Sequence, residues 1–286
     1  MGHTIVVARR AAALLGALAL AVVGSAATAH GTTAHNAAGH TAAAHPHGSC
    51  ADARGALLFC EDFEGMPRGT TTGRGWTANT DNGTLTVERD TTHGREHRAG
   101  QVLHVRTEAN GHAFVQVNGL SAPGNSFYGR MRVRIDALPT APDWAHFTLV
   151  EATGTGDGSV VRPIGGQYVP TVGGGTDLWG VGSDGGPTGD WTNWQATSPA
   201  RAGRWTCVEW RLDASDNRVS VWLDGRPHPD LTVDTTDHGG NPVDFVLPRV
   251  DTVRMGWQLY QPGPTPSAYD LRLDDLALST HRLGCA

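Results

Sequence analysis

The sequence predicts an all-β fold, a concanavalin-like β-jelly roll in which two antiparallel sheets enclose a core and one sheet forms a concave cleft. Only 17% of the 286 residues are charged, whereas 38 Gly and 16 Pro supply frequent turns. Short stretches of alternating apolar and polar residues recur between clusters of Gly, Asn, Asp and Pro, which is typical of strands with one buried face. Beyond the first thirty residues, no stretch longer than two turns has a helical period.

The alternating stretches predict nine strands, and Asp224-Gly225 adds a hairpin turn after one of them. They are Thr84–Glu88, Gln101–Thr107, Ala113–Asn118, Tyr128–Ile135, His146–Val150, Cys207–Leu212, Arg218–Leu223, Thr252–Leu259 and Leu271–Leu278. Roughly nine to twelve strands fit one two-sheet sandwich. Because no linker interrupts this part of the chain, we expect a single domain over residues 50–286, in a monomer.

The first 29 residues have the pattern of a secretory signal peptide. Arg9 and Arg10 precede the apolar run Ala11–Val23, and the small residues Ala27-Thr28-Ala29 follow it. A membrane anchor is the alternative, but the apolar run is short for a bilayer span. We expect cleavage after Ala29 and a secreted, extracellular protein.

Residues 30–49 are rich in His and Ala and contain no large apolar residue. Such a segment buries too little surface to offset chain entropy, so it predicts a disordered linker. Its histidines, at positions 30, 35, 40, 45 and 47, leave weak metal binding as an alternative, although regular spacing in a flexible tract builds no fixed coordination sphere.

Four cysteines in an exported chain suggest two structural disulfides, for which three pairings exist. Cys50 and Cys60 are ten residues apart and can close a small loop at the start of the domain, and Cys207 and Cys285 then remain. A zinc site is the alternative, but the sequence contains no C-x-x-C spacing.

Charge and motifs exclude several classes of function. The formal net charge is −6 and the chain contains no Lys, so no basic stripe is available to neutralise phosphates of nucleic acid. The composition also excludes a multi-pass membrane protein. An E-x-D-x-x-E run of a two-sheet glucanase and a G-x-S-x-G nucleophile elbow are both absent from the sequence.

Two sets of residues remain as candidate sites. Acids near both ends of the domain, Asp62 and Glu64 with Asp274 and Asp275, suit a hard cation such as calcium; the alternative is solvent-facing acids on edge strands. The second set is His146, Arg162, Gln167 and Tyr260, of which His146 shares a predicted strand face with Thr148 and Val150. That set carries chemistry only if it lies in one cleft.

Motifs in the same order and at similar spacing resemble the core domain of the fungal cellulose-induced protein one family, which is akin to glucuronan lyases and jelly-roll alginate lyases. The resemblance covers residues 57–286. The motifs are Glu61-Asp62-Phe63-Glu64-Gly65, His146-Phe147-Thr148, Ile164-Gly165-Gly166-Gln167, Gly256-Trp257-Gln258-Leu259-Tyr260 and Leu273-Asp274-Asp275-Leu276 with Gly284-Cys285. It implies a jelly roll, a structural calcium ion, a Cys207–Cys285 bridge and cleavage of a polyuronide by β-elimination.

The resemblance also implies roles for individual residues. Glu64 and Asp275, or less directly Asp274, match the family's calcium-binding acids, and carbonyl oxygens near Gly94 and Gly100 complete the set. His146, Arg162, Gln167 and Tyr260 match its cleft residues. Pro163 is an extra residue in the motif, so we expect a bulge that displaces Arg162 or turns it to the other face.

The proposed chemistry needs these residue types. Removal of the C5 proton of a 4-linked uronate requires neutralisation of the adjacent carboxylate, for which Gln167 and Arg162 are the candidate donors. His146 suits a general base and Tyr260 an acid for the departing O4 oxygen, although the reverse assignment stays open. The candidate substrate contacts are Trp144, Tyr168, Trp179, Asp184 and Trp257.

Two other functions stay open. A non-catalytic carbohydrate-binding module for plant cell-wall polysaccharide needs the same β-sandwich and exposed aromatic side chains. An extracellular structural domain without a glycan partner is the third. The predicted partner in the first two cases is a polyuronide or a plant cell-wall glycan.

Overall fold

A computed structural model describes residues 50, 56–92, 100–140, 143–155, 160–261 and 266–285, all within one compact unit. The described residues form thirteen strands and two short 3-10 turns. The strands are β1 Leu57–Glu61, β2 Thr77–Arg89, β3 Gln101–Asn118, β4 Phe127–Ile135, β5 Ala145–Thr155, β6 Val160–Val169, β7 Thr176–Asp184, β8 Trp191–Pro199, β9 Trp205–Asp213, β10 Arg218–Leu223, β11 Arg226–Pro227, β12 Arg249–Leu259 and β13 Ala268–Ser279. The predicted signal peptide and linker lie outside these residues.

The strands form an antiparallel, curled jelly-roll sheet, which confirms the predicted fold class. Their order is β11-β10-β9-β4-β13-β3-β12-β5-β6-β7-β8, with β1 on β13 and β2 on β3. In the part of the chain that the structure describes, no helix is long and apolar enough to cross a membrane.

One bent strand joins the two predicted sheets into a continuous one. The first part of β3 pairs with β13 and its last part, from His112 onward, pairs with β12. Ala109, between the two parts, has a φ of 49°, a left-handed conformation that breaks the regular strand. The predicted strands Gln101–Thr107 and Ala113–Asn118 are therefore two arms of one strand.

The buried side chains of β9 explain why the alternation of apolar and polar residues predicted this strand correctly. Val208, Trp210 and Leu212 of β9 are all buried, as their two-residue period predicts. A Cβ at Gly129 of β4 would lie 2.0 Å from the Trp210 ring, so glycine is required where that ring crosses the sheet. Asp224, with a φ of 50°, opens the predicted turn between β10 and β11.

A column of aromatic rings fills the core beneath β5, β7 and β12. Phe147 stacks on Trp257 with ring centroids 5.3 Å apart, and Trp257 contacts Tyr269 at 5.1 Å. Trp179 meets Phe147 edge-on at 6.3 Å. Burying one large apolar side chain contributes about 1.5–3 kcal/mol, so this column holds the strands that carry the candidate site in place.

Two disulfides join Cys50 to Cys60 and Cys207 to Cys285. Both pairings agree with the predictions, and the described residues contain no free cysteine. Disulfides of this kind persist in oxidising compartments.

Candidate functional site

The four predicted cleft residues lie on one face of β5, β6 and the end of β12. Phe147 and Ile164 belong to the hydrophobic core, so the side chains that alternate with them point to the opposite face. We call this face, formed by His146, Arg162, Gln167 and Tyr260 and the polar residues around them, the polar face.

Strand register brings three of these residues side by side. His146 of β5 pairs directly with Gln167 of β6. The backbone N–H of Tyr260, which follows β12, donates to the carbonyl oxygen of His146 at 3.2 Å. An imidazole, an amide and a phenol are thus carried by neighbouring strand positions.

The predicted bulge at Pro163 is present, and Arg162 remains on the polar face. Register between β6 and β7 shifts between Arg162 and Gly165, so Ile164 returns to the core without displacing Gln167. The bulge absorbs the extra residue locally.

Arg162 lies under Tyr260 instead of reaching outward. Its side chain is 3% exposed, and its Cζ lies 5.4 Å from the centroid of the Tyr260 ring. The carbonyl oxygens of Ser183 and Trp191 and Oδ1 of Asp190 lie 2.6–2.7 Å from Nη2 and share its two N–H donors. The guanidinium is therefore a support for Tyr260, and this geometry does not fit the predicted direct contact with a substrate carboxylate.

Glu151 is the buried partner of Tyr260. The Tyr260 hydroxyl lies 3.5 Å from Oε1 of Glu151, and Arg254 Nη1 donates to its Oε2 at 3.1 Å. Burial and the Glu151 carboxylate raise the pKa of Tyr260 to about 12, against the opposing effect of Arg162. Tyr260 is consequently a protonated phenol at neutral pH.

A bulge in β5 puts Glu151 on this face. The register with β6 shifts around Val150, and both Leu149 and Val150 are in the core. The predicted placement of Val150 beside His146 and Thr148 is therefore wrong. The bulge reverses the alternation, so that Glu151 takes the polar position.

The polar face continues across β12 onto β3 and β2. Arg254 Nε donates to Oε1 of Gln116 at 2.7 Å, and Asn79 Nδ2 donates to the same oxygen at 2.9 Å. This chain of side-chain contacts fixes the orientation of Arg254 and, through it, of Glu151.

Gln261 contacts His146 at two points. Its Oε1 accepts from the backbone N–H of His146. The other end of the amide, Nε2, lies 2.7 Å from Nδ1 of the ring. Because Nε2 of an amide only donates, this contact assigns the acceptor role to Nδ1 and leaves the ring proton on its Nε2.

The His146 ring is neutral at neutral pH. Burial and the Arg162 guanidinium hold the pKa of His146 below its ordinary value, although Asp190 and a hydrogen bond to Gln167 oppose them. Gln167 itself is 6% exposed. The contact with His146 orients the Gln167 amide, which has donors of its own.

The predicted substrate contacts divide between the two faces. Trp144, the exposed residue two positions before His146, contacts Trp194 at 5.9 Å between ring centroids. Asp184, at the end of β7, raises the pKa of Tyr260 and is part of the polar face. We call the two rings the Trp144–Trp194 pair.

The remaining three aromatic residues are corrections to the sequence analysis. Trp257 and Trp179 are core residues, and Tyr168 packs against the core. Each alternates with a residue of the polar face, so its side chain lies on the opposite side of the sheet. They support the site from beneath and do not face a saccharide on the polar face.

Sequence reasoning missed Glu151, Arg254, Asp190 and Gln261. The alternation around His146 gave the wrong face for Val150 and so hid Glu151. For Gln261, the available signal was its position directly after Tyr260. A residue next to a candidate acid can contact the neighbouring strand.

The predicted calcium-binding acid Glu64 lies in a cluster that Gln101 holds together. Gln101 Nε2 donates to the carbonyl oxygens of Phe63, Glu64 and Met66 at 3.1, 3.0 and 2.9 Å. Its backbone N–H donates to Oε1 of Glu64 at 3.0 Å. A Cβ at Gly100 would lie 1.9 Å from that same oxygen. We call these five residues the Gln101 corner.

This arrangement does not fit a calcium ion. The Gln101 amide nitrogen sits where a cation would need the three carbonyl oxygens at 2.3–2.6 Å. Asp275 accepts from Arg132 Nε at 3.1 Å, and Asp274 accepts from the Asp275 backbone N–H at 2.7 Å. Gly94 lies outside the described residues. Within the described ranges, no group of three or more His, Cys, Asp or Glu side chains is placed to hold a metal ion.

The curled antiparallel sheet places this chain in the class of all-β jelly-roll domains. Residues 62–281 match the polysaccharide lyase-like family described as "Cip1-like, core domain". The chain belongs to this family, which confirms the resemblance seen in the sequence.

Two solved structures are similar to the chain to different degrees. Cellulose induced protein, Cip1, is similar with a TM-score of 0.52 and 20% identity, over 80% of this chain and 100% of that chain. An alginate lyase from Chlorella virus gives a TM-score of 0.47 and 10% identity, over 79% of this chain and all of that chain. No curated protein sequence matches the chain.

Proposed function

We propose that this chain is a secreted polysaccharide lyase that cleaves a glucuronic-acid-containing polysaccharide by β-elimination. The observation that carries the proposal is the grouping of His146, Gln167 and Tyr260 on adjacent positions of one sheet face. Family membership over residues 62–281 supports the reaction class. The two disulfides fit an oxidising, extracellular compartment.

In this proposal Gln167 neutralises the uronate carboxylate. Its amide contacts the His146 ring and carries two N–H donors that can bind the substrate carboxylate. Hydrogen bonds to the carboxylate stabilise the charge that develops when the C5 proton leaves. Arg162 acts through Tyr260, since three acceptors already occupy its Nη2.

The pKa shifts of His146 and Tyr260 support one of the two assignments of the proton transfers. His146 is neutral and is the base, while Tyr260, with a pKa of about 12, is the acid that protonates the departing O4 oxygen. For Nε2 of His146 to accept the C5 proton, the ring proton must first move to Nδ1, the Gln261 amide must turn its oxygen toward Nδ1 to accept that proton, and the Gln167 contact must release Nε2. The Gln261 amide, which faces Nδ1 at 2.7 Å, therefore controls the base.

The direct test follows absorbance of the unsaturated uronate product when the purified protein meets glucuronan, alginate or glucuronoxylan. We expect a rate on a glucuronate polymer that falls strongly in Gln167→Ala. Gln195→Ala, an exchange of the same type on β8, is the matched control and should keep the rate. Absence of product on all three polymers, or an undiminished rate in Gln167→Ala, would refute the lyase mechanism.

A carbohydrate-binding module is the second candidate, and the Trp144–Trp194 pair favours it. The exposed Trp144 ring, in contact with the half-buried Trp194, offers a stacking surface for sugar rings. Retention on insoluble cellulose or xylan without product formation, lost in Trp144→Ala, is the result that would select this function over the lyase.

A further inference from the structure

A cavity lies on the opposite side of the sheet from the polar face. It has a volume of about 570 Å³ and is bordered by Trp179, Arg201, Arg204, Arg226 and His228. We call it the arginine cavity. The Trp179 side chain packs edge-on against Phe147 in the core, so the cavity is separated from His146 and Gln167 by the sheet itself.

The cavity concentrates positive charge in an acidic protein. Arg204 pairs with Asp224, whose other oxygen accepts from the backbone N–H of Cys207. Arg201 and Arg226 are exposed and have no hydrogen-bond or ion-pair partner among the residues that the structure describes. Three Arg residues and one acid, Asp224, line the cavity, although the formal net charge of the chain is −6.

One wall of the cavity carries a fixed polar pair. Ser198, which is 1% exposed, lies with its hydroxyl 3.0 Å from Nδ1 of His228. Burial lowers the pKa of His228, against the opposing effect of Asp230 and Asp224. A neutral ring that accepts from Ser198 at Nδ1 carries its proton on Nε2 and is a further donor.

The rest of the wall is apolar. Trp179, Pro199 and Leu223 line the cavity beside the polar groups. Apolar and aromatic surface next to guanidinium donors suits a sugar ring that bears a carboxylate, since the ring packs on the wall and Arg binds carboxylate through paired hydrogen bonds.

We propose that the arginine cavity binds a carboxylated oligosaccharide at a second site, remote from the polar face. Arg201 and Arg226 bind the carboxylate, and the wall around Trp179 contacts the sugar ring. The choice of a uronate as ligand rests on the proposed function, but binding at this cavity needs no catalysis.

The experiment titrates a glucuronate trisaccharide into the full-length Tyr260→Phe protein and follows backbone amide chemical shifts. Thr206 and Leu223 report on the arginine cavity, whereas His146 and Gln167 report on the polar face. Cellotriose is the neutral comparison and sodium sulfate the simple anion. The test variant is Arg201→Gln with Arg226→Gln, and its matched control is Arg68→Gln with Arg249→Gln, which removes the same charge from exposed positions elsewhere.

We expect saturable shifts at Thr206 and Leu223 with the uronate, at least tenfold weaker binding in the test variant, and a change under twofold in the control variant. Equal binding of cellotriose, an unchanged affinity in the test variant, or sulfate binding as tightly as the trisaccharide each overturns the proposal. Shifts at His146 and Gln167 alone would reject the second site and leave the proposed function standing. Shifts at Thr206 and Leu223 alone would support the second site and count against the proposed function.

Discussion

The polar face and the Gln101 corner contain the same kinds of groups in opposite states. At the corner, one amide nitrogen meets three carbonyl oxygens and a carboxylate meets a backbone N–H, so the polar atoms satisfy each other. On the polar face, Arg162 and Glu151 hold Tyr260 from behind. Its phenol is thus oriented without being enclosed.

Acids and amides that lie near one another do not by themselves make a reactive site. Mutual hydrogen bonding stabilises a fold because buried polar groups are costly when unpaired. A reactive group instead needs supporting partners on one side and access to the substrate on the other. Substitutions should therefore affect activity on the polar face and stability at the corner.

The largest expected effect is on the polar face. Tyr260→Phe should lower the elimination rate by about 10²- to 10⁴-fold, because it removes the proton donor for O4. The melting temperature should stay within a few degrees of the unsubstituted protein. Steady-state kinetics and thermal unfolding check both points.

Tyr168→Phe is the matched control, since its ring packs on the core side of the same sheet. It should keep nearly all activity. A large loss of stability with an unchanged elimination rate in Tyr260→Phe would show that Tyr260 has a structural role, as the residues of the Gln101 corner do.

The next effect is on stability. Gln101→Ala removes two N–H donors that three carbonyl oxygens share, each donor with a net contribution of about 1 kcal/mol, so the free energy of unfolding should fall by about 2 kcal/mol. Denaturant unfolding measures this, with Gln195→Ala, which loses one part-buried hydrogen bond, as the control. The rate per folded molecule should not change.

The effect of calcium on the melting temperature is a second test of the Gln101 corner. Since the Gln101 amide occupies the position of a cation, the melting temperature of the unsubstituted protein should be the same with excess chelator and with millimolar calcium. A drop of several degrees on chelation would mean that a bound ion stabilises the native state through linkage. The Gln101 corner would then be a metal site.

A smaller effect should come from Gln261→Glu. A carboxylate accepts from both the His146 backbone N–H and Nδ1–H, so the ring proton moves to Nδ1, Nε2 becomes an acceptor and the negative charge raises the pKa of His146. We expect an increase in kcat of roughly 3- to 10-fold and an acid limb of the pH–rate profile at higher pH.

Gln195→Glu adds the same charge on β8 and should leave both quantities unchanged. A fall in kcat for Gln261→Glu would mean that His146 serves as a hydrogen-bond donor and that Tyr260 is the base. The polar face would still be the reactive region, but with the two roles exchanged.

The smallest effect concerns the core beneath the polar face. Burial raises the pKa of Asp177 to about 7, so the folded state binds this proton more tightly than the unfolded chain. The contribution to stability is present below pH 3.8 and is lost as the pH rises through 7. Asp177→Asn should therefore flatten a decline of a few degrees in melting temperature between pH 5 and pH 8, measured by calorimetry.

Much of the fold could be predicted because alternation survives wherever one strand face is buried. The predicted strand Arg218–Leu223 has the observed bounds of β10. Strands β6 and β7 were not predicted, because Gly-Gly and Pro in Val160–Val169 and the glycines of Thr176–Asp184 obscure the period.

The site was predictable in its members but not in their orientation. His146, Gln167 and Tyr260 came from motif spacing, and register then placed them together. Trp257 was assigned to the wrong face because aromatic residues suit both a sugar and a core. Gln101 carried no signal as a competitor for calcium, because its three acceptors come from a loop far away in sequence.

The position of β13 in the sheet has a consequence for how the chain folds. It lies between β3 and β4 and also carries β1, and Arg106 and Asp270 meet across 164 residues of sequence. Neighbours that are distant in sequence close slowly, since a long loop must be ordered before the pairing stabilises it. The centre of the sheet therefore stays open until β13 has been synthesised, and the strands made before it cannot complete the sheet without it.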